Sequence, residues 1–128
     1  VGLDAAAFNW MPGPDTSSIA IIVVHSLGAE AEMLRNLLNI PTHRVRDEEF
    51  MRYDYQPAEL EELIAKAEAD WRELAPRLGA DELRTAITRP NKPVPQTGLF
   101  WLVRNYGHIR EHLGQLWLTR QMQQENRG

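Results

Sequence analysis

Between Pro57 and Gly79 apolar residues return every three or four positions, as Leu60, Leu63, Ala67, Trp71, Leu74 and Leu78. That spacing draws one stripe along an α-helix and would scatter over both faces of a strand. The ends agree with it. Pro57 suits the first helical position, Glu59, Glu61 and Glu62 favour the positive end of the helix dipole, and Gly79 suits the exit. Pro76, inside the span, should bend or thin the last turn. A one-sided helix of this length must bury its stripe, so the rest of the chain has to supply the surface.

Two further segments do so. Thr16, Ser17 and Ser18 offer N-caps for a helix over residues 18–39, apolar nearly all round in "SIAIIVV" and one-sided later. There Ile19, Ile22, Leu27 and Leu34 fit burial, Glu30, Glu32 and Arg35 need water or partners, and Pro41 ends the helix. Thr97 caps a long final helix to about residue 123, which frays into "QQENRG". A short helix over residues 4–9 is stopped by Pro12, Gly13 and Pro14. Residues 40–56 read as irregular, with a turn or two of helix around Asp47 to Tyr53. Residues 80–96 read as a connector, because the prolines of "RPNKPVPQ" exclude regular helix and only "RTAIT" has strand character. Three long helices with medium connections predict an all-α fold of the four-helix-bundle type, one domain over residues 1–128. The fourth helix of such a bundle is expected before Val1, or its place is covered by a partner chain.

Composition narrows the function. The net charge is −4 and the basic residues are dispersed among acids, which argues against a nucleic-acid partner. No apolar run approaches the ~20 residues of a membrane span, and no signal peptide opens the chain. There are no cysteines, so disulfides, thiolate metal sites and a cysteine nucleophile are excluded. A cytoplasmic location is the expectation.

Histidine carries the chemistry. On the final helix Leu99, Leu102, Tyr106, Ile109, Leu113 and Leu116 make the expected core stripe. His108 and His112 lie on a second stripe, roughly 120° round, with Trp101, Arg104, Gln115 and Thr119. Two readings stand: a solvated polar face, or two imidazoles of a metal site. Trp101 favours the second, because a tryptophan is seldom spent on open surface. Gly107 and Gly114 cost the helix ~1 kcal/mol each relative to alanine, which suggests that another backbone approaches there. His25 sits directly after "IAIIVV", as a core histidine with one hydrogen bond or as a third ligand. Gly28 and Glu32 follow on its face. If the first and last long helices pack together, His25, His108 and His112 form a tripod for a divalent ion with a fourth position open. His43, in the polar loop, is set aside.

Two stretches carry a resemblance to a known family. "LDAAAFNWMPGPDTSSIAIIVVHSLGAEAEML", residues 3–34, resembles the first half of the DinB-like superfamily, with its Trp-x-Pro segment, Ser-Ile turn into a helix, histidine and Gly/Ala-rich turn. "TGLFWLVRNYGHIREHLGQLWLTRQM", residues 97–122, resembles the superfamily's H-x-x-x-H-x-G-Q signature. The resemblance implies a four-helix bundle, often a homodimer, with a metal held by His25, His108 and His112. It also gives Gln115 as a residue that orients a ligand imidazole or a bound water. The chain departs from it in lacking the helix that usually precedes the Leu-Trp-Pro segment.

A tripod of this kind suits a metal-dependent enzyme, with zinc or nickel foremost among the divalent ions that imidazole binds. The resemblance implies a small-molecule substrate and transfer to or from a low-molecular-weight thiol such as bacillithiol or mycothiol, or a related hydrolase or isomerase activity. Arg104 is a candidate contact for a substrate carboxylate and Glu32 the one acidic candidate on the His25 face, but no convincing general base emerges. The alternative is a non-catalytic metal- or ligand-binding module that dimerises. Trp71 and Trp117 are expected in the core, and Trp10 should plug its loop onto the bundle.

Overall fold

The computed structural model describes residues 3–127. In chain order the elements are α1 (Ala5–Asn9), α2 (Ile19–Leu37), a 3-10 turn (Arg46–Phe50), α3 (Pro57–Leu74), a second 3-10 turn (Ala75–Arg77), α4 (Ala80–Arg84), β1 (Ala86–Arg89), β2 (Lys92–Thr97) and α5 (Gly98–Asn126). The predominantly helical fold agrees with the expectation.

The N-terminal signals of the helices act as expected. The Ser18 hydroxyl accepts from the Ile21 N–H, the Thr97 hydroxyl from the Phe100 N–H, and Pro57 opens α3. Pro76 thins the end of α3 into its 3-10 turn. Gly79, expected to close that helix, instead precedes α4, with Glu82 accepting from its N–H at 2.9 Å. Helix α2 ends before Pro41. Asn39 takes a left-handed φ of 56°, and the Ile40 N–H returns to the Arg35 carbonyl at 2.8 Å, closing the last turn.

Helix α2 is apolar nearly all round at its start because α1, α3, α5 and the 3-10 turn after it all pack on it. One apolar cluster gathers Ala20, Ile21, Tyr55 and Leu60; the other gathers Met33, Leu37 and Trp101. His25 lies on α2 between them. Asn9 fastens α1 to the chain before α3, its amide donating to the Tyr55 carbonyl at 2.8 Å and accepting from the Tyr55 N–H at 3.0 Å.

Two expectations are overturned. The connector folds into an antiparallel hairpin in which Arg89 pairs with Lys92. Its two-residue loop, Pro90 then Asn91 at φ 60°, suits a type II turn. Prolines 93 and 95 are tolerated because a two-stranded sheet consists only of edges. The second correction concerns α5. Its inward face carries Trp101, Asn105, Thr119 and Gln123, all buried, while Tyr106 of the apolar stripe is 67% exposed and Val103 near it 62%. Leu99, Leu113 and Trp117 are exposed too, so Trp117 is not core. What packs on α2 is therefore the histidine stripe. Gly107 and Gly114 meet no neighbour within 4 Å, so the approaching backbone they suggested is not found among the described residues. Among the described residues no helix is long and apolar enough to cross a membrane.

Candidate metal centre

Helix α2 delivers His25 from one side, and α5 delivers His108 and His112 from the other, one turn apart and both facing inward. One ring nitrogen from each of the three lies within 4.8 Å of the others. Ring centroids are separated by 4.2 Å for His108–His112, 5.0 Å for His25–His112 and 5.6 Å for His25–His108. Nitrogens bound to one ion at ~2.0–2.1 Å in tetrahedral directions stand about 3.3 Å apart. The closest pair, His108 Nε2 and His112 Nε2, is at 2.8 Å, so the cluster brackets that spacing.

Each neighbour of the rings favours presenting a lone pair to the centre. Gln115 Oε1 lies 2.8 Å from His112 Nδ1; an amide oxygen only accepts, so Nδ1 carries the proton and Nε2 is left bare. His25 is buried, and its Nδ1 has two neighbours at 3.2 Å, Glu49 Oε1 and Arg44 Nη2. Arg44 already grips Glu49 through Nη2 at 2.7 Å and Nε at 3.1 Å, and Glu32 through Nη1 at 2.8 Å. The carboxylate is the stronger acceptor and the guanidinium is committed elsewhere, so His25 Nδ1–H donates to Glu49. Its Nε2 is thereby freed. Two imidazole nitrogens 2.8 Å apart, as in His108 and His112, must share a proton or turn both lone pairs on one cation.

For His108 the electrostatics points the same way. Burial, then the neighbouring His112 and His25, push His108 down to about 4, so it is neutral at neutral pH, as a metal ligand must be. Burial alone would raise Glu49, but hydrogen bonds from His25 and Arg44 and the Arg44 charge outweigh it and hold the carboxyl below its usual range. The Glu49 carboxylate is thus available to orient His25.

Of the remaining residues singled out in the sequence, Gln115 touches a histidine of the cluster. Glu32 does not: it is spent on Arg44 and reaches His25 only through the Arg44–Glu49 pair. Arg104 stands at the rim, its guanidinium 5.7 Å from the Trp101 ring centre. His43 is exposed in its loop. Sequence reasoning missed Arg44 and Glu49. They come from the irregular stretch after α2, which has no periodicity to assign them a direction.

Gly28 explains how that stretch gets so close. A Cβ there would fall on Glu49 Oε2 and lie 3.1 Å from Arg44 Nε, so only glycine lets the ion pair lie against α2. Gly28→Ala should displace Glu49 from His25 and weaken metal binding about 10–100-fold, as the loss of outer partners of metal-bound histidines does. Chelator competition checks this. Thermal melting run alongside should show the fold retained, since alanine favours helix by about 1 kcal/mol. Unchanged metal affinity would refute the orienting role of Glu49.

A helical fold with three convergent imidazoles on two crossing helices fits a metal-binding protein of the bundle type. The chain matches the family model of the DinB superfamily over residues 1–116, and it belongs to that superfamily. No curated protein and no solved structure matches it.

Proposed function

We propose that the chain is a metal-dependent enzyme that holds zinc or nickel on His25, His108 and His112 and joins a low-molecular-weight thiol to a small-molecule substrate. The observation that carries this reading is the set of three imidazoles with lone pairs turned inward, at the edge of a cavity lined by His25 and His108. A divalent ion bound there supplies Lewis acidity, lowering the pKa of a thiol or water that reaches it. The chain's own residues do the rest. Glu49 and Gln115 hold the tautomers of His25 and His112, and the buried flank of α2 keeps water from His25.

A thiol suits the site better than water does. Glu49, the acid in contact with His25, is tied to Arg44, as is Glu32 behind it, and neither is a free base. A thiol, with a pKa of about 8.5, needs little help to ionise, whereas water needs far more. In the transfer the sulfur forms a bond to the substrate carbon as that carbon's leaving group departs with the electron pair, and the thiol proton passes to solvent. The homodimer belongs to the same reading. Leu99, Val103, Tyr106, Leu113 and Trp117 offer a second copy an apolar face, and Gly107 and Gly114 on that side let a helix come close.

The test takes the whole chain, purified without a tag, loaded with zinc or nickel, and given several bacterial thiols with an electrophilic acceptor. Expected are S-conjugate formation that a chelator abolishes, and sedimentation as a dimer. Stoichiometric metal without turnover on any thiol would favour the binding module instead.

A further inference from the structure

We propose that the cavity beside the histidines is a subsite for the doubly negative end of a small substrate, a phosphate monoester or a dicarboxylate, held by Arg89, Lys92 and Arg104. The cavity, about 230 Å³, is lined by Arg44, Arg46, Arg89, Lys92 and Arg104 together with His25 and His108, and no Asp or Glu lines it. Arg44 is neutralised by Glu32 and Glu49, and Arg46 lies 3.6 Å from Asp47. The other three have no carboxylate within 4.0 Å among the described residues. Three cations with no carboxylate in contact, at one small cavity in a chain of net charge −4, call for an anion.

Arg89 is also held in place. Arg89 Nε donates to Asn36 Oδ1 at 3.0 Å, and its guanidinium lies 5.3 Å from the centre of the Trp101 ring that Arg104 also covers. The hairpin register sets Lys92 opposite Arg89. Arg89 and Lys92 are half-buried, so both groups lose hydration that an anion would replace. Burial, with the charges of Arg104 and Arg44, outweighs the opposing charge of Glu32 and holds Arg89 below its usual range, and burial with Arg89 and Arg104 does the same to Lys92. An anion bound at the hairpin would point the rest of its molecule at the three imidazoles. A doubly charged group matches three cations better than a single carboxylate does, and a cavity this small admits one such group rather than a polymer.

The role assigned to the anion rests on the metal-dependent reading, but the subsite is tested apart from it. Calorimetric titration of the whole chain, with and without zinc, uses inorganic phosphate, malonate and acetate as probes. Phosphate or malonate should bind the metal-free chain at least tenfold more tightly than acetate, and the tighter of the two identifies the class. Arg89→Gln and Lys92→Gln should each weaken that binding about tenfold and leave zinc stoichiometry unchanged. His25→Ala should lose zinc and keep the anion. Lys92 makes no side-chain hydrogen bond in the described residues, so Lys92→Gln remains informative if Arg89→Gln fails to fold. Equal affinity in Lys92→Gln and the parent, or dianion binding only when zinc is present, would overturn the subsite. Absence of thiol transfer with the anion still bound would overturn the enzymatic reading alone.

Discussion

His25→Ala is expected to strip the metal from the protein. Three imidazoles share the binding, and a four-ligand structural zinc site is worth about 10–16 kcal/mol, so one ligand carries a share that lowers affinity on the order of a hundred- to a thousandfold. Metal per chain after gel filtration, and competition with a chromophoric chelator, measure it. The fold should survive. The His25 side chain is tied to the rest of the protein by its contact with the Arg44–Glu49 pair, and that pair keeps its own hydrogen bonds when the imidazole is gone. A variant that keeps stoichiometric metal at parental affinity would show that the ion, if bound, sits elsewhere.

Trp101→Ala should produce the largest loss of stability. Trp101 is 2% exposed, packs with Met33 and Leu37, and donates from Nε1 to the Ile87 carbonyl at 3.1 Å, tying α5 to β1. Removing a buried tryptophan costs about 3–5 kcal/mol, a large part of the ~5–15 kcal/mol that holds a typical domain together. Urea unfolding should show a midpoint shifted far down. Trp101→Phe, which keeps a ring and gives up the hydrogen bond, should lose only the smaller fraction, and the difference between the two separates packing from bonding. A midpoint within experimental error of the parent for Trp101→Ala would mean that this end of the core is not formed as described.

The legibility of the site depends on how local each signal is. The i,i+4 spacing of His108 and His112 is a local property of a helix, so their shared face was readable without coordinates. Trp101 on the same stripe marked that face as covered, and it is buried. The apolar stripe from Leu99 to Leu116 argued the opposite and misled, because periodicity shows that a helix has two faces without saying which one meets its own chain. Arg44 and Glu49 were unreadable for a different reason. A loop and a single 3-10 turn have no repeat long enough to set direction, and their contacts with His25 span 19 and 24 residues.

The amino-acid sequence by itself determined the long helices, their capped beginnings and the kinship with the DinB superfamily, because capping, proline stops and 3.6-residue periodicity act within a few residues of chain. Only the tertiary structure decided that α5 turns its histidines inward, that Gly28 admits the Arg44–Glu49 pair to His25, and that the hairpin brings Arg89 and Lys92 to the same cavity. Those outcomes depend on which surfaces are pressed together and what charge is desolvated there, and such pairings are made by residues far apart in the chain.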